Sequence, residues 1–226
     1  IGSVHTKKES TSRHPFRDPP TQATGTLWRR RQVPLPPSDI LASVALALAT
    51  FSTDPAPFVV EIPVDTRPAL GLSTVIGNLT GLLRLPIPNE SPAQISTRIS
   101  DAIAQNDHLQ PTFAAHALRF FPISILSRVG SATHRRQIKT GQYLFGATVS
   151  NLGRADLSKF ICPTFEPSTC YWIPPHSPSN PLLIILCGAG SHLEITAGAP
   201  CALGDNGRLD ALLDHIVNGL TPTAIS

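Results

Sequence analysis

The sequence predicts an α/β fold, a two-layer sandwich in which a mixed β-sheet carries helices mainly on one face. Short apolar runs bounded by Gly and Pro indicate buried strands, and longer apolar or amphipathic stretches between them indicate helices. The strands and helices do not alternate regularly, and no Gly-x-Gly-x-x-Gly motif is present, which excludes a dinucleotide-binding pattern. With 226 residues, 41% of them hydrophobic, the chain is long enough to bury a sizeable core.

Residues 1–36 differ in composition from the rest of the chain. They are rich in Ser, Thr, Pro and Arg, hold seven basic and two acidic residues, and show little periodicity. We therefore expect a flexible, basic, Pro/Ser-rich linker at 1–36, followed by one folded subdomain at 37–226. The cluster Trp28-Arg29-Arg30-Arg31 is interpreted as part of a solvated connector, with binding to an acidic surface as the alternative.

The first half of the folded region contains clear element signals. Ser38 is a good N-cap for an apolar helix from Ile40 to Phe51. Two strands are expected next, at Phe58–Val64 and Leu79–Ile87. Ser91-Pro92 then opens an amphipathic helix, because Ser caps helices and Pro is favoured in their first turn.

The second half reads as further strands with a closing helix. A helix is predicted after Pro111, carrying Phe113, Leu118 and Phe121, and residues 129–141 are predicted to form a mobile loop. Later strands are expected at Tyr143–Val149, Leu182–Cys187 and Leu193–Ala197, the last two joined by a turn at 188–190. Asp205 or Asn206 is expected to cap the last helix.

Composition excludes several classes of partner. Residues 37–226 hold eleven basic and thirteen acidic residues, so no nucleic-acid partner is expected. No apolar run is long enough for a transmembrane segment, and no secretory signal is visible. Four cysteines without Cys-x-x-Cys or metal-type spacing predict no metal site and favour a reducing, cytoplasmic location. The chain begins with Ile and contains no Met, which is consistent with a fragment.

Three segments in the middle of the chain combine strand ends with polar turns. They are Val64-Asp65-Thr66-Arg67-Pro68, Ile76-Gly77-Asn78-Leu79-Thr80-Gly81, and the stretch Gly146–Leu157 that contains Ser150-Asn151-Leu152-Gly153. Loops that follow strands often carry functional residues, and amide or hydroxyl groups there can donate to a substrate. The same side chains can instead stabilise their own turns, so both interpretations stay open.

In this order the three segments resemble the C-terminal half of the CoA-dependent acyltransferase and condensation-domain superfamily, which has a chloramphenicol acetyltransferase-like fold. The resemblance runs from about residue 38 to the C-terminus and is nearest to the polyketide-associated and alcohol acetyltransferase branch. It implies transfer of an acyl group from a pantetheine thioester to a hydroxyl or amine acceptor. The acyl-CoA or acyl-carrier thioester would be a co-substrate, and no bound cofactor is implied.

The catalytic signature of that superfamily, His-His-x-x-x-Asp-Gly, is absent from this chain. The resemblance therefore implies no catalytic residue here and places the general-base histidine in a missing N-terminal subdomain. This chain would form one wall of a tunnel between the two subdomains and would be inactive alone. The eight histidines are scattered without a His-His pair, and no Gly-x-Ser-x-Gly elbow suggests a serine hydrolase.

The resemblance also assigns roles to individual residues. Arg67 would support the catalytic loop by pairing with the Asp of the missing signature, with a surface arginine as the alternative. Asp65 is assigned to the same support, mainly as a cap on the turn at Pro68. The tunnel wall would include Asn78, Ser150, Asn151 and Gly153.

Two rival hypotheses are carried forward. The chain could be a degenerate, non-catalytic relative that acts as a binding or interaction module. It could also be an unrelated α/β domain in which the three motifs are coincidental. A sheet that fails to bring the Phe58–Val64 and Tyr143–Val149 regions together would support the second rival.

Overall fold

A computed structural model describes residues 12–16, 18–34, 38–54, 56–72, 74–109, 121–175 and 180–220 of the chain. The helix predicted after Pro111, with Phe113 and Leu118, lies outside these residues. The strands are β1 (Ser12–Arg13), β2 (Thr26–Pro34), β3 (Phe58–Asp65), β4 (Thr80–Ile87), β5 (Gln142–Tyr143), β6 (Ala147–Ala155), β7 (Leu183–Ala189) and β8 (His192–Pro200). The α-helices are α1 (Ile40–Phe51), α2 (Arg67–Leu70), α3 (Pro92–Ala104), α4 (Ile123–Thr140), α5 (Cys201–Gly204) and α6 (Arg208–Leu220). Short 3-10 turns occupy Asp107–Leu109 and Leu157–Phe160.

The main sheet has six strands in the order β2-β8-β7-β6-β3-β4. The β3–β6 and β6–β7 pairs are parallel and the other pairs are antiparallel, so the sheet is mixed, as predicted. Strands β1 and β5 form a separate two-stranded sheet. The predicted regions at Phe58–Val64 and Tyr143–Val149 are adjacent through β3 and β6, which removes the observation that would have supported an unrelated domain.

One face of the sheet packs against helices. Helix α6 buries Leu209, Leu212, Leu213 and Ile216 against the apolar faces of α1 and the sheet. Full burial of a leucine or isoleucine side chain stabilises a fold by about 1.5–3 kcal/mol, so this stripe alone anchors the helix layer. Among the described helices, none combines the length and the apolar character needed to span a bilayer.

Helix α3 confirms the predicted start at Ser91-Pro92. The Ser91 hydroxyl accepts from the Gln94 amide, and the Gln94 side chain accepts from the Ser91 amide at 3.0 Å, which completes a capping box. Helix α1 also begins where predicted. Its N-cap is Asp39 rather than Ser38, in left-handed backbone and without a side-chain capping bond.

The structure corrects the expectation of a flexible linker at residues 26–34. This stretch is strand β2, paired with β8 over nine residues from Thr26–Pro200 to Pro34–His192. The arginines alternate between the two faces of the strand: Arg30 binds Glu194, while Arg29 and Arg31 bind acidic residues of α6. The basic cluster therefore meets acidic side chains of its own chain.

Residues 129–141 are also corrected, because most of this predicted loop belongs to helix α4. The helix ends at Gly141, whose φ of 67° is the left-handed conformation that favours glycine. Gln137 is the only buried side chain of α4. A helix with so little burial has no core-facing apolar stripe, which is why the periodicity did not reveal it.

The strand predicted at Tyr143–Val149 is split in two. Tyr143 pairs with Ser12 in the small sheet, and β6 begins at Ala147 and continues past the expected end to Ala155. Gly146 lies at the break, where a Cβ atom would overlap the Phe58 ring. Only glycine allows the two strands to pass this closely.

The sheet face away from the helix layer is crossed by residues 169–174. Thr196 donates to the Trp172 carbonyl at 2.6 Å, and the Arg30 guanidinium lies 4.2 Å from the centre of the Tyr171 ring. A Cβ at Gly198 would lie 2.9 Å from Pro174, so this crossing is close. Polar and cation–π contacts thus fix the segment on β2 and β8.

Candidate functional site

The predicted site residues lie at one edge of the main sheet. Strands β3 and β6 are parallel, and Asp65 ends the first while Ser150, Asn151 and Gly153 are the fourth, fifth and seventh of the nine residues of the other. Thr80 pairs with Asp65, which brings the loop carrying Asn78 to the same edge. The carboxyl ends of parallel strands are where open α/β sheets commonly bind ligands.

The two strands separate as they approach this edge. Their ladder consists of Val60–Ala147 and Glu61–Thr148, although both strands run several residues further. Pro63 follows two residues after Glu61 and has no backbone N–H to offer a neighbouring strand. We call the region beyond this ladder, where the described residues of β3 and β6 no longer pair, the opening.

Asp65 and Arg67 form a local pair on the β3 side of the opening. The Asp65 carboxylate accepts from the Arg67 backbone N–H at 3.0 Å and lies 3.3 Å from Arg67 Nε. Nε itself makes no hydrogen bond of good geometry. The side chain is 41% exposed, so the guanidinium retains capacity for another acceptor.

The turn that carries Asn78 is held at its base by Thr66. The buried Thr66 donates to the Leu79 carbonyl through both its backbone N–H and its hydroxyl, each at 2.9 Å. The exposed Asn78 accepts from the Thr80 hydroxyl at 2.8 Å. The side-chain carbonyl of Asn78 is therefore bonded within its own turn. Its side-chain NH₂ group makes no hydrogen bond among those found in the described residues.

Asn151 and Gly153 form a bulge in β6. The Asn151 side chain accepts from the Gly153 N–H at 3.0 Å, and Gly153 has a φ of 71°. The register with β7 shifts here, because three steps along β6 from Asn151 to Arg154 match two steps from Leu186 to Gly188. Such a bulge bends the strand and re-aims its side chains. Ser150, just before it, is half-buried.

Exposed apolar side chains follow the site residues along the chain. They belong to the loop after β3 and to the segment after the β6 bulge, and each is at least 37% exposed: Leu70, Leu72, Val75, Ile76, Leu152, Phe160, Ile161 and Phe165. Ile76 is fully exposed. Single exposed apolar residues are ordinary, but a group of this size on the two segments that continue from β3 and β6 is typical of a surface that contacts another polypeptide.

A buried polar network beside the opening was missed by the sequence analysis. Glu61 accepts from Arg84 Nε at 3.0 Å and from the Thr148 hydroxyl at 3.3 Å. Asn180 donates to the same hydroxyl at 2.8 Å. A glutamate inside the apolar run Phe58–Val64, with an arginine inside the next apolar strand, is the signal that could have revealed it.

No histidine of the described residues lies among the six site residues or in this network. His215, on α6, shares a hydrogen bond of 3.1 Å with the Thr50 hydroxyl and packs against Phe51, so its contacts are structural. In the part of the chain that the structure describes, no three His, Cys, Asp or Glu side chains converge as metal ligands. The donor groups at this edge, the Asn78 amide, the Ser150 hydroxyl and the Arg67 guanidinium, can bind and orient a ligand through hydrogen bonds.

Comparison with known proteins places the fold. No protein-family model matches the chain, and no curated protein matches it significantly. Among solved structures, it is similar to a condensation domain that mediates chain release from the enacyloxin polyketide synthase, with a TM-score of 0.54 and 14% identity over 92% of this chain. It is also similar to the starter condensation domain of rhizomide synthetase RzmA (TM-score 0.51, 16% identity, 91% of this chain). The EpoB cyclization-docking bidomain from Sorangium cellulosum gives a TM-score of 0.52 and 16% identity over 91% of this chain.

The chain matches only part of each of these known structures. The chain spans 43%, 47% and 45% of those three proteins, less than half of each. The fold is therefore that of one condensation-domain subdomain, a mixed six-stranded sheet with helices packed against it.

Proposed function

We propose that this chain is the C-terminal subdomain of a condensation-type acyltransferase, close to the alcohol acetyltransferase branch. It moves an acyl group from a pantetheine thioester to a hydroxyl or amine acceptor and forms one wall of the substrate tunnel. The other wall and the general-base histidine belong to an N-terminal subdomain. This proposal rests on the opening between β3 and β6. The fold that contains this opening spans about half of a condensation domain.

The exposed apolar group at this edge supports contact with the missing subdomain. Burying such side chains against a second polypeptide is favourable by about 25 cal/mol per Å² of apolar surface removed from water. The apolar side chains lie on the loop after β3 and on the segment after the bulge, which continue from the two strands that flank the opening. A partner docked there would convert the open groove into an enclosed tunnel.

Within that tunnel each residue has a role that its contacts allow. The Arg67 guanidinium would bind a carboxylate of the partner's catalytic loop, because arginine pairs with carboxylates in a planar, two-pronged geometry. The amide of Asn78 and the hydroxyl of Ser150 would donate to the substrate or to the oxyanion of the tetrahedral intermediate. Asn151 and Gly153 act through the bulge, which sets the direction of Ser150.

A thioester donor is supported by one of the similar structures. A double mutant of the RzmA starter condensation domain was solved with C8-CoA and Leu-SNAC, and it matches this chain with a TM-score of 0.54 and 17% identity. Both compounds present a thioester sulfur on a pantetheine-like arm. We therefore expect an acyl-CoA or an acyl-carrier protein as co-substrate.

The test compares the purified chain with the same chain joined to the polypeptide encoded upstream. Octanoyl-CoA and a set of small alcohols and amines serve as substrates, and released CoA thiol is the readout. The chain alone is expected to release no CoA above background, and the joined protein is expected to be active. Acyl transfer by the chain alone, lost on substitution of one of its own residues, would contradict the proposal.

Arg67→Ala in the joined protein tests the pairing role. We expect kcat/KM to fall by about 100-fold or more, since removing one partner of a buried charged pair costs about 3–5 kcal/mol. Arg98→Ala is the matched control, because Arg98 is 35% exposed and pairs with Glu90 away from the opening. Equal activity of the two variants would remove Arg67 from the mechanism.

One observation favours a second candidate, a non-catalytic binding module. Asp65, Asn78 and Asn151 each use a side-chain oxygen within their own turn, as purely structural residues would. An upstream polypeptide that docks on the apolar surface but carries no His-His-x-x-x-Asp-Gly signature would decide for this candidate.

A further inference from the structure

Cys187 lies on the sheet face away from the helix layer. It is buried on β7, and Glu194 of β8 is its partner in the antiparallel ladder. Directly opposite residues of such a ladder lie about 5 Å apart and present their side chains on the same face. The adjacent residues Leu186 and Leu193 belong to the core under the helices, so Cys187 and Glu194 face the other side.

Residues 169–174, the crossing segment, lie extended on this face. Thr169 donates to the Glu194 carboxylate at 2.5 Å, and a Cβ at Gly198 would lie 2.9 Å from Pro174. Five steps of the segment therefore match four steps of β8, a rise close to that of a strand. In an extended chain, successive side chains point in opposite directions.

This alternation turns Cys170 toward β7. Its neighbours Thr169 and Tyr171 both face β2. Thr169 shares the Glu194 carboxylate with Arg30 of that strand, and the Arg30 guanidinium lies 4.2 Å from the centre of the Tyr171 ring. Cys170 stands between these two residues, so its side chain points to the strand on the other side of β8, which is β7.

The thiols of Cys170 and Cys187 are neighbours with unequal access to solvent. Burial raises the pKa of Cys187, and the Cys170 thiol adds to this through its charge and as a hydrogen-bond partner. Both cysteines are free, and Cys170 is half-buried whereas Cys187 is 3% exposed. A reagent in solution therefore reaches Cys170 first, and Cys187 is placed to react in a second step. The crossing segment belongs to no helix or strand, so its backbone can adjust to the geometry of a sulfur–sulfur bond.

We propose that Cys170 and Cys187 form a reversible disulfide, with a small-molecule disulfide of the glutathione type as the oxidant. The Cys170 thiolate attacks one sulfur of glutathione disulfide and releases one glutathione thiolate. The Cys187 thiol then loses its proton and attacks Cys170 Sγ of this mixed disulfide, which releases the second glutathione thiolate. Two protein thiols are oxidised and one glutathione disulfide is reduced, and the two thiol protons pass through solvent to the released glutathione.

The disulfide would tie the crossing segment to β7. In the reduced chain the segment is held by hydrogen bonds at Thr169 and at the Trp172 carbonyl. The new bond adds a covalent link and closes a ring from Cys170 to Cys187, which restricts the unfolded chain. This modification site goes beyond the proposed acyltransfer and does not rest on it.

The test oxidises the full chain at pH 8 with glutathione disulfide, blocks the remaining thiols with N-ethylmaleimide and digests the product without reductant. Chymotrypsin is the protease, because no Lys or Arg lies between Lys159 and Arg208, a stretch that contains all four cysteines. Cleavage after aromatic and leucine residues places Cys170 and Cys187 on different peptides. Mass spectrometry then measures the disulfide-linked peptide pair.

Folded geometry and proximity along the chain predict different pairings. Cys162 is eight positions from Cys170, whereas Cys187 is 17 positions away. In the folded chain the disulfide of Cys170 with Cys187 should exceed every other pairing by about tenfold or more, because the two thiols are held together. In urea the shorter loop from Cys162 to Cys170 should dominate. A folded chain that gives mainly this shorter loop, or only glutathione adducts, would overturn the proposal.

Single variants separate the two steps. Cys187→Ser should stop at a glutathione adduct on Cys170, and Cys170→Ser should leave Cys187 unmodified. Cys201→Ser is the matched control, since Cys201 is also half-buried but lies beyond the end of β8, and it should form the same disulfide as the unchanged chain. Equal rates of glutathione addition to Cys187 in Cys170→Ser and to Cys170 in Cys187→Ser would contradict the order of attack.

The urea midpoint of unfolding reports on the link itself. Oxidation should raise the midpoint of the unchanged chain, and dithiothreitol should restore it, because the ring restricts only the oxidised unfolded chain. Cys170→Ser should show no such rise. A midpoint that oxidation leaves equal in the two proteins would contradict a bond between the crossing segment and β7.

Discussion

Glu194 offers a sharp test of how the N-terminal strand is attached. Its carboxylate is fully buried on β8 and accepts from Arg30 at 2.7 and 2.9 Å, from Gln32 at 2.8 Å and from Thr169 at 2.5 Å. Two of these donors belong to β2 and one to the segment that crosses the sheet. A single side chain thus fastens two distant pieces of chain to β8.

The substitution Glu194→Gln keeps the shape and removes the charge. The new side-chain nitrogen cannot accept a hydrogen bond, so it disrupts fewest contacts when it takes the position of Oε2. Oε2 accepts only from Arg30 Nε, whereas Oε1 accepts from Arg30, Gln32 and Thr169. A charge-assisted hydrogen bond contributes about 1.5–3 kcal/mol, and one buried partner lost from an ion pair costs about 3–5 kcal/mol. Because the Arg30 side chain is 32% exposed, water reduces this penalty, and we expect a loss of about 2–3 kcal/mol in the free energy of unfolding.

Urea unfolding at pH 7, followed by far-UV circular dichroism and by tryptophan fluorescence, measures this loss. Trp28 lies on β2 and Trp172 on the crossing segment, so the fluorescence reports on both attached pieces. Arg30→Gln should lose a similar amount. Arg29→Gln is the matched control, because Arg29 is 48% exposed and pairs with Asp210 at 3.0 Å on the surface. That surface pair is expected to contribute at most about 1 kcal/mol.

Two outcomes would refute this reasoning. The first is a loss below about 0.5 kcal/mol in Glu194→Gln, the level of an ordinary surface substitution. The second is an equal loss in Arg30→Gln and Arg29→Gln, which would mean that burial of the carboxylate adds nothing. Either result would show that β2 is attached mainly by its backbone ladder with β8.

Three further predictions concern single residues. Gly146→Ala should lower the free energy of unfolding by at least about 2 kcal/mol because its Cβ would overlap a phenylalanine ring, whereas Gly77→Ala, with nothing within 4 Å, should change it little in the same urea assay. The pKa of His14 is lowered from 6.5 to about 4. The neutral imidazole therefore contributes up to about 3 kcal/mol to the free energy of unfolding above pH 6.5, and this contribution is lost as the pH falls toward 4. The free energy of unfolding of His14→Gln should depend less on pH between those limits. Burial raises the pKa of Cys187, so iodoacetamide at pH 8 should modify the exposed Cys162 well before Cys187 in mass-spectrometric time courses, and equal rates would contradict the buried position.

Local signals predicted most of the sheet and its helix layer. The apolar run at Phe58–Val64 and the capping residues Ser91-Pro92 specify a strand and a helix start from a few neighbouring residues, and both were confirmed. The β6 strand was predicted to stop at Val149 because a polar turn sequence follows. The turn is instead a bulge within the strand, since the β7 backbone continues to pair beyond it.

The missed elements depend on contacts between distant parts of the sequence. Strand β2 looks like a solvated arginine cluster until Glu194, 164 residues from Arg30, is placed beside it. Helix α4 buries only Gln137, so no apolar stripe marked it. At the candidate site, the sequence indicated which turns gather at one edge, but the Glu61–Arg84 pair required the β3–β4 register.

The position of β2 at the edge of the sheet has a practical consequence for protein production. A cloning boundary placed at residue 37, where composition changes, would delete the only described neighbour of β8 on that side. The backbone groups of β8 that face β2 would then be unpaired, and the Glu194 carboxylate would keep the hydrogen bond from Thr169 but lose those from Arg30 and Gln32. An uncovered edge of this kind recruits strands from other molecules, so the shortened protein should aggregate where the longer one stays dispersed.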